Sequence, residues 1–573
     1  MDKLAVEHLN DSNYCFPLDE HHLKIRLRTK KGDDIKSVTC LWNVLQHMYL
    51  TQIKAPMEIA YVDEYYAYYE CVLYSKDPRF SYVFYIKTND GTALYFSELG
   101  FTKEYDFSWF YLTSFRLPYI NPIDVVFDNK MFSGDVFYQI FPERFNIGDF
   151  SKDKNYINRP WDTSNLKGSN GNRVQDSFIG GDLKGIELKL DYLKDLGVNT
   201  IYLTPIFKSQ SNHKYDVDDY FKVDEMFGKD EDLLDLVKEI HKHGQKIVLD
   251  IVFNHSAFNN NLFQDVVKNG KKSKYYDFYI VNGDKPDFKK KNYATFGDVP
   301  NMPKLNSNSF DEHDYFVEVG KYFINKFNID GYRLDVANEA SHTFWQRFKY
   351  ELRKIKPDII LIGECWNNAI SYLSRNEFDS VMNYPFLYTC KDFYINHFLD
   401  AEHFSYRLNS LLMRYKDGNN RMMLNLLDSH DTERFYNLCK PNKDLCLLAF
   451  LTLISYIGWP MIYYGDEIFM EGGTDPFNRK GMEWNSKEFG SKENILFKKI
   501  VHLRNNELFK TGDIKIYNEN SLFVIERYKK EEKVKIVINN SEKSVKYAVN
   551  GMVILSNNYD NGVLNNYSFI VFK

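Results

Sequence analysis

From Asp135 onward, short apolar runs alternate with segments whose apolar residues recur every third and fourth position. The runs are Val136 to Phe141, Thr200 to Thr204, Lys246 to Val252, Gly331 to Asp335, Ile359 to Gly363, Ser380 to Asn383, Met422 to Leu427 and Met461 to Tyr464, and they read as eight strands. Between them, Leu183, Ile186, Leu190, Leu193 and Leu196, or Leu233, Leu236, Val237 and Ile240, have the spacing of a buried helix face. Eight such alternations predict an α/β chain folded as a closed (β/α)8 TIM barrel rather than an open sheet.

Two departures from this rhythm divide the chain. After the third strand, residues 256–311 lack a strong helical period and carry Gly, Asn, Pro and Lys, as an inserted domain beside a site would. At both ends the pattern turns to period two, as in Leu23-Lys-Ile-Arg-Leu-Arg and Val534-Lys-Ile-Val-Ile. The expected organisation is an N-terminal β-sandwich over 1–125, a barrel over 126–508 that includes the insertion, and a small C-terminal β-sandwich over 509–573.

One stretch imitates a membrane span: Leu445 to Gly465 runs about twenty residues without a charge. Gly458-Trp459-Pro460 breaks it into a helix-sized and a strand-sized piece, as a buried helix-then-strand unit requires, so no membrane partner is expected. At 573 residues with net charge -6, the chain can bury a large core and offers no basic footprint for nucleic acid. The seven cysteines are scattered without a Cys-x-x-Cys pair and read as reduced thiols. With no signal-like apolar stretch at the start, the expected location is the cytoplasm.

Charge collects where the strands end. Asp250-Ile-Val-Phe-Asn-His255, Gly331-Tyr-Arg-Leu-Asp335, Gly363-Glu364 and Leu427-Asp-Ser-His-Asp431 all close apolar runs, and a barrel brings such ends to one face. Cleaving a glycosidic bond with retention needs one carboxylate to attack the anomeric carbon and a second, protonated, to feed the leaving oxygen. Asp335 suits the nucleophile, because Arg333 lies two residues earlier on the same strand face and could keep it ionised. Glu364 suits the acid, and Asp431 could favour the positive charge of the transition state. Any one segment alone is weak, since a strand ending in Arg-x-Asp is usually a structural ion pair.

On these segments the chain resembles the α-amylase superfamily of glycoside hydrolases (glycoside hydrolase family 13), and within it the neopullulanase, cyclomaltodextrinase and maltogenic amylase group. Met302-Pro-Lys-Leu-Asn306 and Asp335-Val-Ala-Asn-Glu339 narrow the resemblance to that group. The resemblance implies hydrolysis of α-1,4-glucosidic bonds in cyclodextrins and short maltodextrins, with pullulan and starch as further substrates and transglycosylation as a competing outcome. It gives Asp335, Glu364 and Asp431 the roles read above. It also places His255, Arg333 and His430 around the sugar on the non-reducing side, with Tyr215 stacked beneath it. Asp475 and Arg479 would contact the next glucose outward, and Trp366, Glu339 and Phe296 would lie on the acceptor side. A homodimer through the N-terminal, starch-binding-like module is implied as well.

The resemblance implies no required cofactor, but it leaves room for a structural calcium held by Asp149, Asp153, Gly180 and Asp182. Ile147 and Lys152 stand where calcium-binding relatives carry asparagine, and the lysine ammonium could replace the ion. Asn367-Asn368 departs from the His-Asp common after Trp366 in the group. Alternative readings are an α-amylase or α-glucosidase with the same carboxylates and, more remotely, a non-catalytic carbohydrate-binding barrel.

Overall fold

A computed structural model describes residues 1–126, 128–149, 155–161 and 176–573. Eight parallel strands close into a barrel: β1 (Phe137–Ile140), β2 (Thr200–Leu203), β3 (Lys246–Val252), β4 (Gly331–Asp335), β5 (Ile360–Gly363), β6 (Ser380–Asn383), β7 (Leu424–Asn425) and β8 (Trp459–Tyr463). Strand β1 pairs with both β2 and β8, which completes the ring. Each expected run holds a strand, with two shifts. Helix Asp417–Met422 consumes the start of the seventh run, so β7 is only two residues long. The eighth begins at Trp459, because the break is made by Gly458 alone at φ +105° and a proline suits the extended backbone that follows.

The leucine face at 183–196 is buried as expected, but on two short helices, Leu183–Glu187 and Leu190–Leu196. Helix Lys443–Ser455 is buried from Leu445 to Ser455, and among the described residues no helix is long and apolar enough to cross a membrane. The insertion holds a helix that its weak period concealed: Asn261–Asn269, capped by Asn260 Oδ1 and buried through Leu262, Phe263 and Val266. The last residues of that window begin a long helix, Phe310–Phe327.

In the N-terminal module, strand Ile53–Val62 pairs with both Tyr66–Tyr74 and Ile35–Asn43, so its two layers form one continuous sheet folded over Leu23, Ile25, Phe80 and Phe84. The C-terminal module is a six-stranded sheet, Asp513–Glu519 through Val563–Phe572. Alternation along its strands works as period two requires: Ile536 and Ile538 join the barrel core, while Val537 faces a separate small core with Val524 and Ile570. The N-terminal module docks on the barrel through Arg26, 1% exposed, which reaches Asp417 at 2.6 Å and the Tyr415 carbonyl at 3.0 Å.

Candidate active site

Strand register brings the charged ends together. Asp250 on β3 lies beside Arg333 on β4, Val252 beside Asp335, and Leu334 beside Gly363 on β5. The Glu364 N–H then donates to the Leu334 carbonyl at 2.9 Å, which fixes where the fifth strand releases its carboxylate. A side chain at Gly363 would strike the Phe378 ring at 2.6 Å, so only glycine lets this strand pack so closely beneath Glu364.

Arg333 is fully buried and serves three acids. One nitrogen, Nη1, donates to Asp250 Oδ1 at 3.0 Å and to Asp335 Oδ1 at 2.8 Å, while Nη2 lies 3.0 Å from Glu364 Oε1. Asp250 also accepts from the hydroxyls of Tyr202 at 2.7 Å and Tyr215 at 2.9 Å. Burial still dominates: it pushes the Asp250 carboxyl up to about 6, against the pull of Arg333. Burial, and next the neighbouring Glu364 carboxylate, raise Asp335 well above the usual range. Arg333 therefore acts on Asp335 in the expected direction but does not prevail over burial.

Glu364 is held at both oxygens. Its Oε2 accepts the Val336 N–H at 2.8 Å, and its Oε1 accepts the Trp366 indole N–H at 3.0 Å. Trp366 has one ring face covered by Tyr384, with centroids 4.0 Å apart and planes 5° from parallel. Asp431 is flanked by His430 Nε2 at 3.1 Å and Arg479 Nη2 at 3.1 Å, and Arg479 continues to Asp475 at 3.0 Å. The ring of Tyr215 lies parallel to that of His430, and its hydroxyl meets His430 Nε2 at 2.5 Å. Phe296 stacks on His255 at 4.8 Å, and Glu339 stands exposed at the rim, paired with Lys304 at 2.8 Å.

These groups border one cavity of about 780 Å³ at the carboxyl ends of the strands. Asp335, Glu364, Asp431, Tyr215, His255, Phe296, Glu339, Trp366, Asp475 and Arg479 all line it, whereas Arg333 and His430 lie buried behind the lining. Its imidazoles are neutral: burial lowers His255 to about 3 and His213 to about 4, and takes His430 well below the ordinary histidine value. The cavity therefore offers sugar hydroxyls neutral hydrogen-bonding rings beside carboxyl groups.

Several contributors lie outside the four charged strand-end segments. Asn478 donates from Nδ2 to the carbonyls of Ser429, His430 and Thr432 at 2.7 to 3.2 Å and so pins the loop that bears Asp431. Gln139, in the middle of β1, donates to His430 Nδ1 at 2.9 Å. A polar residue inside an apolar strand run, like Gln139 or Asp250, was the available clue, because buried polar groups need partners. Lys214, fully buried, reaches Asp224 at 2.8 Å and anchors the loop that presents Tyr215.

The residues expected around a structural calcium are only partly described. Asp153 lies outside the described residues. Asp182 accepts backbone N–H groups from Gly148, Asp149 and Gly185 at 2.7 to 3.1 Å as the cap of helix Leu183–Glu187. The Gly180 N–H donates to Glu143 at 2.7 Å, and among the described residues no three acidic, His or Cys side chains gather as a metal site.

Two family models match the chain: the α-amylase catalytic domain over residues 139–536 and the α-amylase N-terminal Ig-like domain over residues 1–121. A cyclomaltodextrinase of Thermoanaerobacter pseudethanolicus is 40% identical, over 95% of this chain and 93% of its own. Neopullulanase 2 of Thermoactinomyces vulgaris is 37% identical, over 94% and 91%. A solved cyclomaltodextrinase structure superposes with a TM-score of 0.91 at 33% identity and covers 100% of both chains.

Proposed function

The chain belongs to the α-amylase family of glycosidases, and from that premise we propose that it cleaves α-1,4-glucosidic bonds of cyclodextrins and short maltodextrins with retention of configuration. The observation that carries this reading is the meeting of Asp335, Glu364 and Asp431 on one cavity, with the first two held on a single guanidinium. Two carboxyls that share a guanidinium suit the short spacing of a retaining enzyme, about 5 to 5.5 Å, better than the roughly 6.5 to 9.5 Å that leaves room for an attacking water.

Asp335 attacks the anomeric carbon while Glu364 gives its proton to the leaving oxygen, and a covalent glycosyl ester forms as the glycosidic bond breaks. Glu364 then takes a proton from water, whose oxygen displaces Asp335; a sugar hydroxyl in place of water gives transfer instead. Asp431, held by His430 and Arg479, stabilises the positive charge that develops on the ring. His255 and Tyr215 hold the sugar on the non-reducing side, and Phe296, Trp366 and Glu339 shape the acceptor side. The test compares rates and products on β-cyclodextrin, soluble starch, pullulan and isomaltose. Preference for β-cyclodextrin is expected, and rapid action on isomaltose alone would overturn the reading in favour of an α-glucosidase.

This chemistry requires no cofactor, and we propose that the fold does not depend on calcium. Excess chelator should leave the melting temperature unchanged within a degree or two; a fall of several degrees would restore the ion to the loop around Asp149 and Asp182. The protein is proposed to work in the cytoplasm, a reading supported by seven free cysteines. It is further proposed to dimerise through the N-terminal module, where Tyr49, Leu50, Trp109, Tyr111 and Leu112 are each more than half exposed and the Tyr49 and Phe110 rings stack at 6.4 Å. Sedimentation equilibrium should give twice the chain mass, and Trp109→Glu should shift the protein to monomer; a wild-type monomer at tens of micromolar would remove the proposal.

A further inference from the structure

Lys304 sits in the stretch of the insertion that runs antiparallel to the exit of β3, where the Leu305 N–H donates to the Asn254 carbonyl at 2.9 Å and the Ser256 N–H to the Pro303 carbonyl at 3.1 Å. Its ammonium donates to Asn254 Oδ1 and to Glu339 Oε2, the latter at 2.8 Å. An ammonium has donors only, so Asn254 must turn its oxygen toward Lys304 and its NH2 the other way. On that side Asn254 Nδ2 meets Nδ1 of His255 at 3.3 Å. A ring nitrogen that accepts an amide N–H carries no proton, so the neutral imidazole keeps its proton on Nε2. That Nε2 is buried at the cavity and, among the described residues, has no hydrogen-bond partner of regular geometry. His430 is held by the same device, with the Gln139 amide on Nδ1 and Nε2 turned toward Tyr215 and Asp431.

We propose that Lys304 is a positioning residue that fixes the Asn254 amide, and through it the proton on His255 Nε2 that is donated to a sugar hydroxyl, while the same ammonium anchors Glu339 at the acceptor rim. This rests on the glycosidase reading, which supplies the sugar. One side chain from the insertion then governs both sides of the scissile bond. Neutrality of the ring is part of the arrangement: burial keeps the imidazole uncharged, and the Lys304 charge adds to that effect.

The sharpest variant is Asn254→Asp. It keeps the shape and the link to Lys304 but has no N–H, so it draws the imidazole proton to Nδ1 and leaves Nε2 an acceptor. With β-cyclodextrin and maltotriose as substrates, kcat should fall about 10- to 100-fold, as far as in His255→Ala, with KM much less affected. Lys304→Met should lower kcat less, by up to about 10-fold, and alter the ratio of transfer to hydrolysis products, and Lys304→Arg should recover most of both. Thermal melting reports folding, and if Asn254→Asp does not fold, the two Lys304 variants decide. Folded Asn254→Asp with more than half the wild-type kcat, or Lys304→Met with wild-type kcat and product ratio, overturns the proposal alone. A wild type inactive on both glucans overturns the glycosidase reading beneath it.

Discussion

Asp335→Asn lowers kcat on β-cyclodextrin by about 10⁴-fold or more, a barrier increase of roughly 5 kcal/mol at 1.36 kcal/mol per decade, and leaves the melting temperature unchanged or higher. The amide fills the same space beside Arg333 but cannot form the glycosyl ester. The stability half follows from the direction of the carboxyl's shift. Burial and Glu364 raise Asp335 above its ordinary value, so the ionised group contributes no stability at neutral pH; what burial contributes is present below the unfolded value and lost as pH rises through the folded one. Replacing it with a neutral isostere removes that cost. Steady-state kinetics and a thermal melt on the same preparation check both halves, and turnover within tenfold of wild type would remove Asp335 from the nucleophile's role.

Arg333→Met should destabilise the fold by about 3 to 5 kcal/mol at pH 8, and clearly less at pH 5. The guanidinium is fully buried and is the shared partner of Asp250, Asp335 and Glu364. Without it these acids form a buried negative cluster that is relieved only by protons. Asp250 sits at about 6 even with the guanidinium present, against an ordinary value of 3.8, so losing the counter-charge moves it further up. Groups raised in the folded state lose their stabilising contribution as pH increases, and the variant's stability should therefore fall from pH 5 to pH 8 more steeply than that of the wild type. Urea denaturation at the two pH values measures this. Equal losses at both would make Arg333 a packing residue rather than a counter-ion.

The barrel and its carboxylates were legible because they depend on local pattern. Eight apolar runs of strand length leave few other folds, and a charge that closes such a run has only the mouth of the barrel to go to. What the pattern concealed depends on partners brought from elsewhere. Asn254 is an ordinary loop residue until Lys304, fifty positions later, fixes its amide. Gln139 and Tyr202 lie in the first two strands and act on His430 and Asp250, each from a different part of the chain. Helix Asn261–Asn269 went unread because three buried apolar residues over nine positions make a weak period. For Asp335, sequence proximity to Arg333 suggested the ion pair but gave no measure of burial, which reverses the net effect.

The closure of the ring has a further consequence during synthesis. Strand β1 gains its second neighbour only through β8, with Tyr463 as the last paired residue. A growing chain therefore exposes Asp335, Glu364 and Asp431 to the cell well before any pocket can hold them. Helix Lys443–Ser455, buried along all but its first turn, is made just before closure, while two of the elements that cover it, helix Lys492–His502 and strand Val563–Phe572, come later still. Reliance on chaperones is expected to peak in that interval, which is set by the topology of the barrel rather than by its stability once complete.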